Sequence, residues 1–281
     1  MRERAKKILR KTKSVLFADP EILYKKEQHL LNKPFYFKGA NGKAILLIHG
    51  WTSVPYEMRR LGKYLNENGW TAYGPMLKGH GTVPKNLENI KWREWVEDID
   101  QAYKKLRKNH NLVFVGGTSI GANIAILLAK KHPEISGLVL MATPYQMKLE
   151  KLKLEKITVL FLKIMRIFKK YNKKFYPPTF GSRTTITRLI SYRTYPIDSV
   201  FEAAELVKKS RKNLSKITQP CFLLQSSSDC IVAKDSMEKI YAQIGSKIKK
   251  KKYIKRAYHT FISDIKNEDV LKEIADFIGK Y

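Results

Sequence analysis

Short apolar runs alternate with longer stretches of helical spacing along most of this chain. Ala44-Ile45-Leu46-Leu47-Ile48 lies between Gly42 and Gly50 and predicts a strand buried on both faces. Residues 55–68 carry Met58, Leu61 and Leu65 at helical spacing and close at Gly69. The pattern repeats with a strand at 70–73, a helix over 92–108, a strand at 112–115, a helix over 121–131 and a strand at 137–141. It lapses from about 145 to 199. It resumes with a strand at 221–225, a helix over 234–244, a lysine-rich strand at 250–254 and a terminal helix over 268–278. Buried strands alternating with helices predict right-handed βαβ units, hence an α/β fold with a mostly parallel sheet flanked by helices. The lapse reads as an insertion. The expected domains are a basic extension over 1–33, a core made of 34–144 and 199–281, and a cap over 145–198.

The extension has its own pattern. Ala5, Ile8, Leu9, Thr12, Val15 and Leu16 recur at helical spacing, with Arg2, Lys6, Lys7, Arg10, Lys11 and Lys13 mostly on the rest of the wheel. A basic amphipathic helix is expected, packed on the main domain or lying at a membrane surface. It has no continuous apolar run of the kind a secretory signal needs, so a cytoplasmic protein with reduced cysteines is expected.

Composition narrows the classes. The chain has 281 residues, 43% of them hydrophobic, which is enough to bury a core and excludes a wholly disordered chain. Two cysteines, Cys221 and Cys230, exclude a disulfide scaffold. No apolar run is long enough to predict a membrane-spanning helix. The net charge is +30. Lysine dominates the excess, a solvated charge less suited than arginine to bidentate recognition. Two readings stand side by side: a compositional bias, or attraction to anionic lipid or, non-specifically, to nucleic acid.

Candidate chemistry lies at Gly117-Thr118-Ser119-Ile120-Gly121. With 15 glycines in the chain, about 0.04 matches to G-x-S-x-G are expected by chance, and this one sits between a predicted strand and a predicted helix. The flanking glycines allow a sharp turn that lifts the Ser119 hydroxyl above the sheet. A serine hydroxyl needs a base, and the base needs an orienting carboxylate, in the chain order serine, acid, histidine for a turn of this kind. Of six histidines, His259 alone falls between the last predicted strand and the last helix. His49 and His80 come too early, His110 and His132 lie at helix ends, and His29 lies in the extension. Asp229 follows the strand at 221–225 by Ser226-Ser227-Ser228. Its rivals, Asp235 and Asp264, better fit a helix N-terminus and a cap on the final turn. The backbone N–H groups of Trp51 and Ile120 are the expected oxyanion donors, with Gly50 permitting close approach.

Five segments together carry a family resemblance: Leu47-Ile48-His49-Gly50-Trp51-Thr52, Lys78-Gly79-His80-Gly81, Gly117 to Gly121, Asp229-Cys230-Ile231-Val232, and His259. Over about residues 34–281 the chain resembles the α/β-hydrolase superfamily, in its bacterial monoacylglycerol lipase and carboxylesterase branch. The resemblance implies an α/β-hydrolase fold with a helical cap after the sixth strand. It implies a Ser119–Asp229–His259 triad, Trp51 and Ile120 at the oxyanion, no metal or organic cofactor, and ester hydrolysis through an acyl-enzyme. Two positions depart from the family pattern: three serines precede Asp229 where a glycine is usual, and Ala122 stands where a second glycine often follows. His80 lies in a loop that often borders this family's active site, where a supporting role is expected.

Within the cap, Leu154, Ile157, Leu160, Phe161, Ile164, Met165 and Phe168 form an apolar face. Residues 148–174 hold ten basic residues against Glu150 and Glu155. Such a face suits an acyl chain or a lipid interface, or packs on the core. Phe175, Tyr176, Phe180, Tyr192 and Tyr195 are candidate walls of an acyl pocket. The leading expectation is a serine hydrolase for monoacylglycerol-like or short-to-medium acyl esters, with peripheral contact at anionic membranes and no specific nucleic acid partner. Two alternatives are a feruloyl-type esterase with the same triad, and a basic surface-binding protein whose hydrolase site is vestigial.

Overall fold

The computed structural model describes residues 17–18, 33–146, 170–174, 189–255, 257–263 and 268–281. Its strands in chain order are β1 (Phe17–Ala18), β2 (Phe35–Phe37), β3 (Lys43–Ile48), β4 (Thr71–Gly74), β5 (Leu112–Thr118), β6 (Gly137–Met141), β7 (Tyr171–Lys173), β8 (Leu189–Ile190), β9 (Thr194–Pro196), β10 (Cys221–Ser226) and β11 (Lys249–Ile254). The helices are α1 (Tyr56–Glu67), α2 (Trp92–Arg107), α3 (Ile120–Lys131), α4 (Ile197–Arg211), α5 (Ser236–Gln243) and α6 (Glu268–Gly279). Seven strands form the main sheet in the order β11-β10-β6-β5-β3-β4-β2. All neighbours are parallel except β2, which runs antiparallel to β4 at one edge.

Side-chain parity divides the core into two layers. Ala44, Leu46 and Ile48 of β3, Val113 and Val115 of β5, and Leu138 and Leu140 of β6 face α2, α3 and α5. Ile45, Leu47, Phe114, Val139 and Met141 face α1 and α6 on the other side. A sheet covered on both faces explains why its strands read as continuous apolar runs. The exception is β11, an edge strand in which Lys250 and Lys252 pair with Glu273, and Lys251 pairs with Glu238. Charged side chains of this kind protect an open edge against further strand pairing.

Strand β2 and helix α4 were not predicted, nor were the short strands β1, β7, β8 and β9. Strand β2 is only three residues long, too short for a periodicity signal. Helix α4 lies partly in the interval where the alternation lapses. Its buried face is built from Ile197, Ser199, Ala203, Leu206, Val207 and Ser210, so small and polar residues dilute the apolar stripe. Asn123 Nδ2 of α3 donates to Ser210 Oγ at 2.7 Å, so part of that face is held by polar contact. Within the main sheet, β6 is the fifth strand in chain order, and the next is β10. Of the extension, β1 is described, and it pairs in parallel with β8. The amphipathic helix expected before it lies outside the described residues. So do the apolar cap face from Leu154 to Phe168, and Phe175, Tyr176 and Phe180.

Candidate active site

Strand β5 ends at Thr118, and Ser119 caps α3 with φ 53° and ψ −125°. Side-chain-bearing residues rarely hold positive φ, and strain of this kind concentrates at functional sites. The turn is clamped by its backbone: Ser119 N–H donates to Met141 O at 2.9 Å, and Ala122 N–H to Ser119 O at 3.0 Å. Both flanking glycines are required by space. A Cβ on Gly117 would lie 2.4 Å from the Gly121 carbonyl carbon, and one on Gly121 would lie 2.5 Å from Ile48 O. Ser119 itself remains partly exposed.

Asp229 and His259 emerge at the same carboxyl edge, after β10 and β11. Asp229 Oδ2 accepts from His259 Nδ1 at 2.8 Å. Its other oxygen accepts the N–H groups of Ile231 at 2.8 Å and Val232 at 2.9 Å. Burial would raise the Asp229 carboxyl, but the His259 ring and these two amides outweigh it and hold the pKa below its ordinary value. Two of the three serines tie the acid loop to the segment that leads to His259. Ser226 Oγ donates to Ala257 O, and Ser227 donates to Ile254 O from both its N–H, at 3.0 Å, and its hydroxyl, at 3.2 Å. The missing glycine is thus replaced by hydroxyl bonds.

His259 is carried back toward the middle of the sheet by the short 3-10 turn Phe261–Ser263, whose Phe261 and Ile262 join Met58 and Leu61 of α1 in one apolar layer. Ser119 Oγ and His259 Nε2 form no hydrogen bond among the described residues. Such links are often long without substrate and tighten in the reacting complex.

Trp51 and Ile120 lie at the ends of the two loops that meet at Ser119. Neither backbone N–H donates to a protein acceptor among the described residues. The Trp51 ring packs edge-on against Tyr195 at 4.8 Å. Lys174 Nζ bonds Thr52 Oγ1 and lies 2.5 Å from Ser191 Oγ, beside the same ring.

The remaining histidines take other places. His49 is wholly buried. Its Nδ1 donates to Gly50 O at 2.9 Å and its Nε2 accepts from Leu77 N–H at 3.2 Å, which fixes a neutral tautomer. His80 donates from Nδ1 to Lys78 O, and burial pushes its pKa down to about 4. It packs between Trp95, His49 and Tyr192, with no second hydrogen-bond partner for Nε2. Tyr192 is fully buried, donates to Gly79 O at 3.0 Å and accepts from Thr82 N–H at 2.9 Å. The His80 loop is therefore fastened to the segment around Tyr192. His110 bonds Leu106 O and Thr71, and His132 bonds Asp100 and Glu134. Asp235 precedes α5 and pairs with Lys239, whereas Asp264 and His29 lie outside the described residues.

Sequence reasoning missed Glu57. It lies in the first turn of α1, is 5% exposed, and accepts from Gly50 N–H at 2.9 Å. An acid at that position reads along the chain as a solvated complement to the helix dipole. No local signal announces its burial.

The family model described as serine aminopeptidase, S33 (Hydrolase_4) matches residues 39–266, and the chain belongs to that hydrolase family, with an α/β-hydrolase fold. It is similar to a carboxylesterase of Bacillus subtilis (strain 168), 27% identical over 88% of this chain and 96% of the relative. It is also similar to a thermostable monoacylglycerol lipase of Bacillus sp. (strain H-257), 26% identical over 89% of this chain and 95% of the relative. Among solved structures, one of the metagenome-derived lipolytic enzymes LipS and LipT superposes with a TM-score of 0.80 at 23% identity, over 90% of this chain and 99% of that one.

Proposed function

We propose that the protein hydrolyses carboxylic esters through an acyl-enzyme. In this reading Ser119 is the nucleophile, His259 the general base and acid, Asp229 the orienting carboxylate, and the Trp51 and Ile120 amides the oxyanion donors. The observation that carries the reading is the 2.8 Å bond between Asp229 Oδ2 and His259 Nδ1, at the sheet edge where Ser119 stands on its strained turn. A proton on Nδ1, held by Asp229, leaves the lone pair of Nε2 for the serine proton.

Ser119 Oγ attacks the acyl carbon while its proton moves to Nε2. The carbonyl oxygen becomes an oxyanion between the two amides. Collapse expels the alcohol, which takes the proton from Nε2. Water then attacks the acyl-enzyme, gives a proton to Nε2, and the tetrahedral species releases the acid as the serine regains its hydrogen. One water enters, one alcohol and one acid leave, and the five residues are returned unchanged.

The substrate class we favour is monoacylglycerol-like or short-to-medium acyl esters, supported by the activities named for the two Bacillus relatives. The test is a panel of p-nitrophenyl esters, monoacylglycerols, hydroxycinnamate esters and aminoacyl anilides, together with fluorophosphonate labelling and peptide mapping. Hydrolysis of the acyl glycerols and a label on Ser119 are expected, and Ser119→Ala abolishes both with the thermal melt nearly unchanged. Preference for hydroxycinnamates would move the substrate to the feruloyl type, and retained activity in Ser119→Ala would overturn the nucleophile.

We further infer contact with anionic membrane surfaces. Ile231, two residues after Asp229, is 51% exposed, and Tyr258, which precedes His259, is 38% exposed, on a chain whose net charge is +30. Apolar tips at the site rim with diffuse lysine charge suit a lipid–water boundary. Among the described residues no helix is long and apolar enough to cross a membrane.

A further inference from the structure

We infer that Glu57 is the positioning residue of the oxyanion hole: its carboxyl holds the His49-Gly50-Trp51 turn so that the Trp51 N–H faces the carbonyl oxygen of the reacting ester. The inference rests on the functional reading above and adds a residue that reading does not use.

Trp51 lies between Gly50, which has no side chain, and Thr52, whose φ of 62° is outside the conformations a threonine prefers. Sheet bonding ends with β3 at Ile48. Gly50 O is held by His49 Nδ1 at 2.9 Å and by Ser53 N–H at 3.2 Å. What holds the Gly50 N–H is an acceptor reaching in from α1: Glu57 Oε2, 2.9 Å from Gly50 N. A Cβ placed on Gly50 would lie 3.4 Å from that same oxygen and 3.4 Å from Ser119 Cβ. The carboxyl, the turn and the serine are therefore in mutual contact range across Gly50.

The anchor is rigid at its base. Glu57 N–H donates to Val54 O at 3.0 Å, and Met58 and Leu61, one and four residues on, are fully buried in the sheet layer. Ser53 donates to the same carboxyl. Burial raises the Glu57 pKa, while the Gly50 amide, Ser53 and the charges of His259 and Lys174 draw it back. A buried acid with two donors at hand acts through its oxygens, so a neutral amide of the same shape serves as well. Loss of the acceptor strands the Gly50 N–H away from water, and the turn relaxes to satisfy it. A shift of the turn by a fraction of an ångström misaims the Trp51 amide, whose work is done in the transition state.

The experiment compares wild type with Glu57→Gln and Glu57→Met on a p-nitrophenyl ester, with kcat and KM separated, a thermal melt, and the inhibition constant of a trifluoromethyl ketone that forms a hemiketal with the serine. Glu57→Gln is expected to keep kcat within about threefold. Glu57→Met is expected to lose about 10–100-fold in kcat with KM within about twofold, and to bind the ketone weaker by a matching factor, below the ~10²–10³ of a lost donor. A folded Glu57→Met with kcat within threefold of wild type overturns the inference, as does a loss carried by KM. If Glu57→Met does not fold, Glu57→Ala is read by the same criteria. A wild type that neither hydrolyses the ester nor labels at Ser119 fails the functional reading, and this inference with it. An active wild type matched by the acceptor-less variants fails this inference alone.

Discussion

Gly121 is the residue on which the serine turn closes. It lies under the carbonyls of Ile48 and His49, at 2.5 and 2.6 Å from where a Cβ would sit, so those two backbone segments can approach only over a hydrogen. Gly121→Ala forces β3 and α3 apart at the point where Trp51 and Ile120 converge on Ser119. The expected cost is about 1–3 kcal/mol of stability, read by urea unfolding, with activity falling further than stability does. An alanine variant with full activity would show that the turn tolerates the displacement. At this scale the sequence was legible for Ser119, because the motif specifies its own backbone. Asp229 and His259 were legible by order along the chain. Glu57 was not, since its partner Gly50 precedes it by a loop whose path nothing in the local pattern dictates.

At the scale of elements, polar contacts reinforce the apolar packing of helix on helix. Asp100 of α2 is wholly buried and gathers Lys104 at 2.7 Å, Lys131 of α3 at 2.9 Å and His132 at 2.5 Å. Burial would raise its pKa, but the two lysines and the hydrogen bond from His132 hold it well below the ordinary carboxylate value. Because the folded pKa lies below the unfolded value of about 3.9, the stability this group contributes is complete above about pH 4 and is lost as pH falls further. Asp100→Asn is expected to lower stability by about 1–3 kcal/mol at pH 7. The difference from wild type should close below pH 4, and a gap unchanged down to pH 2 would refute the ionic origin. The helices α1, α2, α3, α5 and α6 and five of the sheet strands stand where their periodicity placed them, to within two residues. The apolar run of β5 proves three residues longer, because Gly116, Gly117 and Thr118 carry no apolar signal yet pair with β6. Helix α4 escaped because serine and alanine fill a face that Asn123 and α3 complete from outside.

Over the whole sequence lysine dominates the +30 net charge. On β11 the lysines are paired with Glu238 and Glu273, so that strand adds little uncompensated charge at the sheet edge. Any attraction to lipid must then be diffuse and strongly screened. The expected outcome is co-sedimentation with vesicles containing phosphatidylserine at low salt and loss of binding at about 0.5 M salt, beyond the physiological screening range. Ile231→Ser with Tyr258→Ser should weaken vesicle binding without changing hydrolysis of a soluble ester. Absence of binding at low salt would end the membrane reading and leave the charge as composition.

The linear order of residues determined the two-faced parallel sheet, since alternation of buried runs with helical stripes has one economical folding solution, and it determined which hydroxyl would stand on the turn. Only the tertiary structure decided which oxygens and amides surround that turn. Glu57 beneath Gly50, Ser226 and Ser227 bound to the histidine loop, and Tyr192 fastened to Gly79 are contacts between segments far apart in sequence or separated by loops. Periodicity reports only whether a residue faces inward. The partner it meets there depends on how loops close over the sheet edge, and hydrogen bonds made across that edge leave no repeat in the chain.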